Sequence, residues 1–255
     1  MNILITGYSS TIGTSLIRKL VESGHACFAF GRKPLNGFPN TKWISWTLGQ
    51  KLDLTDLPNI DVVIHLAWHT TSRRESFHLN VGGSLQLLEQ FSGGGTRVIF
   101  VSSLAALNPM SDYGLAKSKV EKHCLTKRIE ILRPGLILNA EEHTEKFRKL
   151  HVIPAAKTPV YVTHLDCLIS ELLGSVLNED LLDRNVVCRV IALSDLMAQN
   201  SYYLPFPGIV ASIFLTIASK LNKLDDMRDA FISLMSTPEL QPTKCLHELK
   251  AETRR

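Results

Sequence analysis

The chain has 255 residues, of which 45% are hydrophobic and 20% are charged, and its formal net charge is +4 at pH 7. This size and balance fit one large soluble domain, or one domain with a small appendage, and exclude a disordered chain. A charge this small, carried by scattered lysines and arginines, gives no reason to expect a nucleic-acid partner.

Three features bear on the cellular location. The five cysteines lie far apart and show no CxxC pair, which indicates reduced thiols rather than a disulfide framework or a zinc site. No signal peptide is visible, because the N-terminus runs directly into an apolar strand pattern. The longest apolar stretch, residues 209–218, is shorter than the roughly 20 residues that span a bilayer. We therefore expect a cytoplasmic protein without a membrane span.

The N-terminal residues predict a strand, a tight turn and a helix start. Residues 2–6 are an apolar run typical of a buried parallel strand, and Gly7 follows at once. A helix N-terminus offers backbone N–H groups and the positive end of a dipole to a pyrophosphate, and glycine allows its close approach. Alone, the spacing Gly7-x-x-Ser10-x-x-Gly13 also fits an ordinary strand–helix turn. The dinucleotide contacts that it predicts are Gly7, Ser10, Thr11, Ile12 and Gly13.

Strands and helices alternate through the following residues. We predict that the first helix stops at Gly24, and that strands cover residues 26–31, 42–46, 61–66, 97–102 and 130–132, with helices over 80–91 and 111–125. This alternation predicts an α/β fold, a Rossmann-like doubly wound parallel sheet. Its ligands bind beyond the carboxyl ends of the strands. The residues expected there are Gly7, Leu66, Ala67, Ser103 and Pro134.

The pattern is less regular beyond residue 139. We predict short strands over 159–162 and 186–192, and helices over 164–176, 207–221 and 225–235. We therefore assign residues 1–140 to a dinucleotide-binding Rossmann domain. Residues 141–255 would supply the last sheet strands and a small, mostly helical C-terminal cap for substrate, reduced in size and forming one compact unit with the rest.

The residues after the second predicted strand bear on the choice of cofactor. An acidic residue there binds the ribose 2′-OH of NAD, whereas a nearby arginine accommodates the 2′-phosphate of NADP. Here the residues are Gly31, Arg32 and Lys33, and none is a carboxylate. The sequence therefore favours NADP, with NAD as the alternative.

Tyr113 and Lys117 are four residues apart on one predicted helix, so they share a face. A neighbouring ammonium lowers the pKa of a phenol from about 10, so we expect Tyr113 to exchange a proton with a carbonyl or alcohol near neutral pH. Ser103 ends the preceding strand and can hydrogen-bond the reacting oxygen. A tyrosine and a lysine at this spacing are common by chance. The position of this pair, on the helix that follows a strand ending in Ser-Ser, supports a catalytic role.

These residues resemble a known family, the extended short-chain dehydrogenase/reductases, or NAD-dependent epimerase/dehydratase group. ILITGYSSTIG is similar to the family's ITGxxGxIG, DLTD to its adenine-contacting DLxD, DVVIHLAW to DVVIHLAA, and NVGGSLQLLE to NVxGTxNLLE. FVSSLAA, the YxxxK of Tyr113 and Lys117, and LRPG follow in the family's order. The resemblance covers about residues 1–140, and loosely 156–177.

The resemblance implies roles for these residues. Tyr113 would be the catalytic acid/base, Lys117 its partner and a ligand of the cofactor ribose, and Ser103 the residue that orients substrate. It also implies cofactor contacts from Asp53, Leu54 and Ala67. Substrates of the family are often nucleotide-activated sugars, and its reactions include epimerisation, dehydration and keto-sugar reduction. Members often pair through helices such as the one bearing Tyr113, so a homodimer is an expectation.

The chain also departs from the family pattern. Ser10 replaces a glycine, only nine residues separate Ser103 from Tyr113, and the family's Asn-x-Tyr-Gly-Pro is missing after Pro134. We expect an NAD(P)-dependent oxidoreductase or epimerase that acts on a nucleotide-activated sugar in polysaccharide biosynthesis. The alternative is a cofactor-binding regulatory or assembly subunit without turnover. The nearby histidines at 65, 69 and 78 lack the pattern of a zinc site, so no metal is expected.

Overall fold

The computed structural model describes residues 1–35, 37–69, 74–138, 152–154, 157–178, 183–196 and 202–204. In the first part of the chain the elements are β1 (Asn2–Thr6), α1 (Thr11–Glu22), β2 (Ala26–Gly31), β3 (Thr41–Ser45), β4 (Val62–His65), α2 (Arg74–Phe91), β5 (Arg97–Val101), α3 (Asp112–Thr126) and β6 (Glu130–Pro134). They are followed by β7 (Leu136–Leu138), β8 (Val152–Pro154), β9 (Pro159–His164), α4 (Leu165–Leu177), β10 (Asp183–Val186), β11 (Arg189–Ala192) and β12 (Tyr202–Leu204).

Seven strands form one sheet in the order β10-β6-β5-β4-β1-β2-β3. Every pairing from β6 to β3 is parallel. The strand order reverses at β1, which lies between β2 and β4, and ligands of such sheets bind at the carboxyl ends of the strands flanking this point. The predicted Rossmann-like doubly wound sheet is therefore confirmed.

The central strands are buried along nearly their whole length, as parallel strands covered on both faces are. Leu4, Val63 and Phe100 belong to one apolar cluster. The same cluster takes Leu87 and Leu88 from α2 and Val120 and Cys124 from α3. These two helices are thereby anchored to the sheet by apolar packing, α3 through the part that begins at Ala116.

The chain divides into two compact units, each assembled from three segments. The first contains Met1–Ser102, Ala116–Arg133 and Ile169–Arg184, and the second contains Ser103–Leu115, Pro134–Leu168 and Asn185–Arg255. In the second unit β9 pairs with β11 antiparallel and with β7 parallel, and β12 pairs with β8. The helices predicted over 207–221 and 225–235 lie outside the described residues. The domain boundary expected near residue 140 stays a prediction.

Among the predicted elements that lie in the described residues, two differ from the structure by more than two residues at an end. The single strand expected over 186–192 is wrong, because β10 joins the seven-stranded sheet while β11 pairs with β9 in a different sheet. Cys188 lies between them, and its amide donates to the carbonyl of Val162 at 2.9 Å. A largely apolar run, interrupted by Arg189, does not reveal that its two ends belong to different sheets. The helix expected over 80–91 also begins earlier, at Arg74.

The cysteine prediction is only partly correct. Cys27, Cys124 and Cys188 are free thiols, whereas Cys167 is disulfide-bonded, contrary to the expectation that all five are reduced. Among the helices in the described part of the chain, none has both the length and the apolar character needed to cross a membrane.

A buried ion pair joins α3 to β6. The Arg133 guanidinium donates from Nε to Glu121 Oε1 at 2.8 Å and from Nη2 to Oε2 at 2.7 Å. Asp183 of β10 accepts a further hydrogen bond from Nη2 at 3.1 Å. Both partners of the Arg133–Glu121 pair are buried. This two-point geometry fixes the position of α3 along the sheet as well as its distance from it.

We expect Glu121→Gln to lower the free energy of unfolding by about 3 kcal/mol, the lower end of the cost of breaking a buried pair, because Asp183 still pairs with Arg133. Urea unfolding followed by circular dichroism measures the change. Glu22→Gln is the matched control, since Glu22 pairs with Lys19 on the exposed face of α1 and should contribute little. Equal midpoints for the two variants would contradict a stabilising role for the buried pair.

Candidate functional site

The carboxyl ends of β1 and β4 approach each other at Gly7. Gly7 has a φ of +72°, and a Cβ placed on it would lie 2.6 Å from the amide nitrogen of Ala67. The amide of Leu66 donates to the carbonyl of Thr6 at 3.2 Å and continues the strand pairing to this point. Gly7, Leu66 and Ala67, three residues predicted to bind the cofactor, are therefore brought together, and only glycine fits at position 7.

A series of buried hydrogen bonds holds the ends of β1 and β4 close together at Gly7. The Thr6 hydroxyl bonds His65 Nδ1 at 2.7 Å and accepts from the amide of Ala67 at 3.3 Å, and His65 Nε2 bonds the hydroxyl of Ser84 at 2.9 Å. Burial and the nearby charge of Lys117 lower the pKa of His65 to about 3, so the ring is neutral at neutral pH. His65 is thus a structural link between β1, β4 and α2. In the described ranges no group of three metal-ligating side chains comes together.

Ser10, which stands at the middle glycine position, is the N-cap of α1. Its hydroxyl accepts from the amide of Gly13 at 3.1 Å and donates to the carbonyl of Gly7 at 2.9 Å. The amides of Thr11 and Ile12 precede the first hydrogen bond within the helix, from Thr14 to Ser10. These two amides therefore lie at the positive end of the helix dipole, as an anion site requires.

Tyr8 lies within the predicted glycine turn, and sequence reasoning did not single it out. Its side chain is 2% exposed, and a Cβ built on Gly31 would lie 2.6 Å from its ring carbon Cε1. The ring therefore fills the space where a side chain at the end of β2 would lie. Arg32 and Lys33 follow on the surface. The only sequence signal was an aromatic residue within the glycine turn.

Asp53 and Leu54 start a short turn after β3. The Asp53 carboxylate accepts from the Thr55 hydroxyl at 2.6 Å and from its amide at 3.0 Å, and these hydrogen bonds lower the Asp53 pKa. Leu54 is half-buried and packs against the apolar cluster. The DLTD segment thus forms an Asx turn that holds its own backbone. The predicted adenine contacts of Asp53 and Leu54 stay predictions.

Ser103 and Tyr113 come together in the second unit. The side chain of Tyr113 hydrogen-bonds that of Ser103, and the Ser103 hydroxyl also accepts from the amide of Ala105 at 3.3 Å. Ser111 starts α3 by accepting from the amide of Gly114 at 3.1 Å. A Cβ on Gly114 would collide with the Ala105 carbonyl, so a glycine lets the first turn of α3 pack directly on the turn that follows Ser103.

The predicted direction of the Tyr113 pKa is wrong. Burial raises the pKa of Tyr113, and the hydrogen bond to Ser103 offsets that effect only in part. An ammonium one helical turn away was expected to lower this pKa, but the loss of solvent around the Tyr113 hydroxyl has the larger effect and raises it. Tyr113 is therefore a protonated phenol at neutral pH.

Lys117 lies on α3 within the first unit, almost completely buried. Its Nζ donates to the carbonyl of Val101 at 2.8 Å and lies 3.7 Å from the centre of the Trp68 ring and 4.7 Å from that of Phe100. Burial lowers the pKa of Lys117 to about 7, although the charge of Glu121 acts in the opposite direction. Near neutral pH this side chain therefore changes its charge, which an exposed lysine does not do.

Pro134 lies in the second unit. It is the buried last residue of β6, and the amide of the next residue, Gly135, donates to the hydroxyl of Thr163 at 2.8 Å. A Cβ on Gly135 would collide with the carbonyl of Tyr161, so the chain can pass there only as glycine. The cofactor contact predicted for Pro134 stays a prediction.

A family model and a curated relative match this chain. The model of the NAD dependent epimerase/dehydratase family matches residues 3–156. dTDP-6-deoxy-L-talose 4-dehydrogenase (NAD(+)) of Aggregatibacter actinomycetemcomitans is 29% identical over 140 residues, which are 46% of this chain and 52% of that protein. The match thus spans about half the length of this curated relative.

Solved structures share the fold. A mutant of UDP-glucuronic acid 4-epimerase from Bacillus cereus, in complex with UDP-4-deoxy-4-fluoro-glucuronic acid and NAD, superposes with a TM-score of 0.68 at 19% identity, over 80% of this chain and 86% of that one. A UDP-galactose 4-epimerase gives a TM-score of 0.64 at 18% identity, over 99% of both chains. At this identity the likeness establishes the fold alone.

We expect Gly7→Ala to destabilise the protein more than Gly24→Ala. Both glycines have positive φ, so both changes should incur the cost of about 1–2 kcal/mol of a left-handed backbone. Only the Cβ at position 7 meets another backbone, because nothing lies within 4 Å of the one at position 24. Urea unfolding of both variants measures the difference, and equal destabilisation would contradict the close approach of β1 and β4.

Proposed function

The chain belongs to the NAD dependent epimerase/dehydratase family, whose model matches residues 3–156, and on this premise we propose that it is an NAD(P)-dependent oxidoreductase or epimerase of nucleotide-activated sugars. The observation that carries the proposal is the hydrogen bond between Ser103 and Tyr113, with Lys117 one turn further along the same helix. The relatives support the substrate class, since one is named for a dTDP-sugar and others for UDP-sugars.

In the proposed reaction Tyr113 is the acid and base. Bound NAD(P) supplies or accepts a hydride. Tyr113 gives its hydroxyl proton to the substrate oxygen when a carbonyl becomes an alcohol, and takes it back in the reverse direction. Because burial raises its pKa, Tyr113 carries this proton at neutral pH and is suited to donate it.

Ser103 and Lys117 assist this proton transfer. The Ser103 hydroxyl holds the reacting oxygen in place by a hydrogen bond. The ammonium of Lys117 stabilises the phenolate that remains after Tyr113 has given up its proton. Since the sequence shows no clear further acid/base pair beside Tyr113, we propose simple redox or redox-coupled epimerisation rather than dehydration.

NADP is the proposed cofactor, with NAD as the alternative. The residues fit a dinucleotide, since Gly7 has no side chain that would keep a pyrophosphate from the backbone. The amides of Thr11 and Ile12 lie at a helix N-terminus. The Tyr8 ring occupies the space over Gly31. A carboxylate at position 31, which would bind the 2′-OH of NAD, would have to displace this ring, and Arg32 is the nearest charge in sequence. Pairing of two copies stays a prediction.

We expect Tyr113→Phe to lower kcat by about a hundredfold to ten-thousandfold, the range of one acid/base group, while cofactor affinity persists. Oxidation of NADPH and NADH is measured over a panel of UDP- and dTDP-linked keto sugars. Tyr161→Phe is the matched control, because it also removes a phenol hydroxyl from a buried tyrosine, which here lies on β9. This variant should keep its turnover.

The outcomes of this experiment distinguish an enzyme from a cofactor-binding subunit without turnover. Tight cofactor binding without turnover on any substrate would favour a cofactor-binding regulatory or assembly subunit over an enzyme. Absence of cofactor binding would contradict both. Full activity in Tyr113→Phe would contradict the role assigned to this residue.

We expect Arg32→Ala to weaken NADPH binding about tenfold and to leave NADH binding nearly unchanged, because in the proposed site the guanidinium would pair with the 2′-phosphate, which NADH lacks. Fluorescence titration with each reduced cofactor measures the affinities. Arg18→Ala removes an equal charge from the exposed face of α1 and serves as the control for the general positive field. An equal loss for both cofactors, or no loss, would contradict the assignment of NADP.

A further inference from the structure

An indole ring covers the buried ammonium of Lys117. Its Nζ lies 3.7 Å from the centre of the Trp68 ring, with the Phe100 ring 4.7 Å away on the same cation. Lys117 is only 4% exposed, so little water screens this contact. Attraction between a cation and the face of an aromatic ring is strongest under such conditions, and tryptophan provides the strongest of these faces.

Hydrogen bonds fix the position of the backbone on either side of Trp68. The amide of Ala67 donates to the Thr6 hydroxyl at 3.3 Å. The amide of His69 donates to Oδ1 of buried Asn80 at 2.8 Å, and Nδ2 of Asn80 donates back to the His69 carbonyl at 2.9 Å. The indole is therefore presented to Lys117 from a segment whose position β1 and α2 determine, rather than from a free loop.

Trp68 is also the one departure within an otherwise matching motif. The chain has DVVIHLAW where the family pattern has DVVIHLAA. A methyl group has no ring face to offer a cation, whereas the indole ring of Trp68 does.

We propose that Trp68 is a positioning residue that holds the Lys117 ammonium in place between its indole ring and the carbonyl of Val101. This inference rests on the proposed function, in which Lys117 is the partner of Tyr113. Trp68 touches Lys117 and acts through it. Its ring keeps the side chain in one orientation and favours its charged form.

The other titratable groups that the structure describes near Lys117 do not provide this orientation. Glu121, one turn further along α3, favours the charged form of the lysine but is held by Arg133. Burial raises the pKa of the Cys124 thiol to about 12, so it is neutral. His65 on β4 is neutral as well, since its pKa is about 3. Trp68 and Phe100 thus supply the faces that restrict the ammonium.

Nuclear magnetic resonance of the full chain with isotope-labelled lysine tests the contact directly. The ring current of Trp68 should shift the Lys117 ε-methylene signal upfield of the other lysines, and Lys117→Met identifies that signal by removing it. Trp68→Leu should abolish most of the shift, whereas Trp68→Phe should keep part of it. Trp43→Leu removes a tryptophan from β3 and should leave the signal unchanged.

The same samples, titrated with acid and base, test whether the ring stabilises the charge. Leucine still excludes water but has no aromatic face, so Trp68→Leu should lower the Lys117 pKa below its value of about 7. The alkaline limb of the pH–rate profile should move to lower pH with it, and kcat/KM near neutral pH should fall about tenfold. Trp68→Phe should stay close to the unmodified protein in both measurements.

The outcomes separate this inference from the proposed function. A Lys117 signal without an upfield shift, or one that Trp68→Leu leaves in place, overturns the positioning role whether or not the protein turns over substrate. In a protein without turnover, loss of the upfield shift and a lower Lys117 pKa in Trp68→Leu would support the positioning role and contradict the proposed enzyme. An unaltered pH–rate profile in Trp68→Leu overturns the positioning role.

Discussion

The close approach of two backbones at Gly7 is the constraint on which the predicted cofactor-binding residues of the first unit depend. The end of β1 and the segment after β4 lie so near that no Cβ fits between Gly7 and Ala67. This contact places the start of α1, with its unpaired amides, directly at the point where the strand order reverses. The neutral His65, bonded to Thr6 and Ser84, extends the same constraint into α2.

Helix α3 carries buried charged groups that affect both the stability of the fold and the charge of Lys117. Glu121 takes a two-point ion pair from Arg133, and at the same time its charge favours the cationic form of Lys117 one turn earlier. Burial acts against that cation and brings its pKa to about 7. A buried lysine that titrates near neutral pH costs folding free energy, and such costs are typical of groups retained for function.

Much of the fold could be predicted from local pattern. The apolar runs that became β1 and β2 and the glycine that ends α1 needed only propensity and period, and the structure has them where they were expected. At Ser10 the structure adds a role that the motif did not reveal, because this residue is the helix cap, and its expected cofactor contact stays a prediction. The strand expected over 186–192 failed because a run of apolar residues carries no information about which sheet each half joins.

The pKa of Tyr113 shows the same limit in electrostatics. Spacing on a helix predicts which charges are near, but only the packing around a hydroxyl determines how much water it loses, and here that loss decides the sign. Tyr8 and Trp68 were missed for a related reason. Each is an ordinary aromatic residue in the sequence, and each acquires its meaning from one partner far along the chain, Gly31 for the first and Lys117 for the second.

The sequence by itself determined the alternation of strands and helices, the glycine turn before α1 and the spacing of Tyr113 and Lys117 on one helix. These are properties of short segments, set by side-chain period, backbone freedom and helix geometry. The tertiary structure alone decided that Ser103 meets Tyr113, that the Tyr8 ring fills the space over Gly31 and that Lys117 is buried against Trp68. Such contacts join residues distant in sequence, and burial and electrostatic shifts exist only once those residues have been brought together.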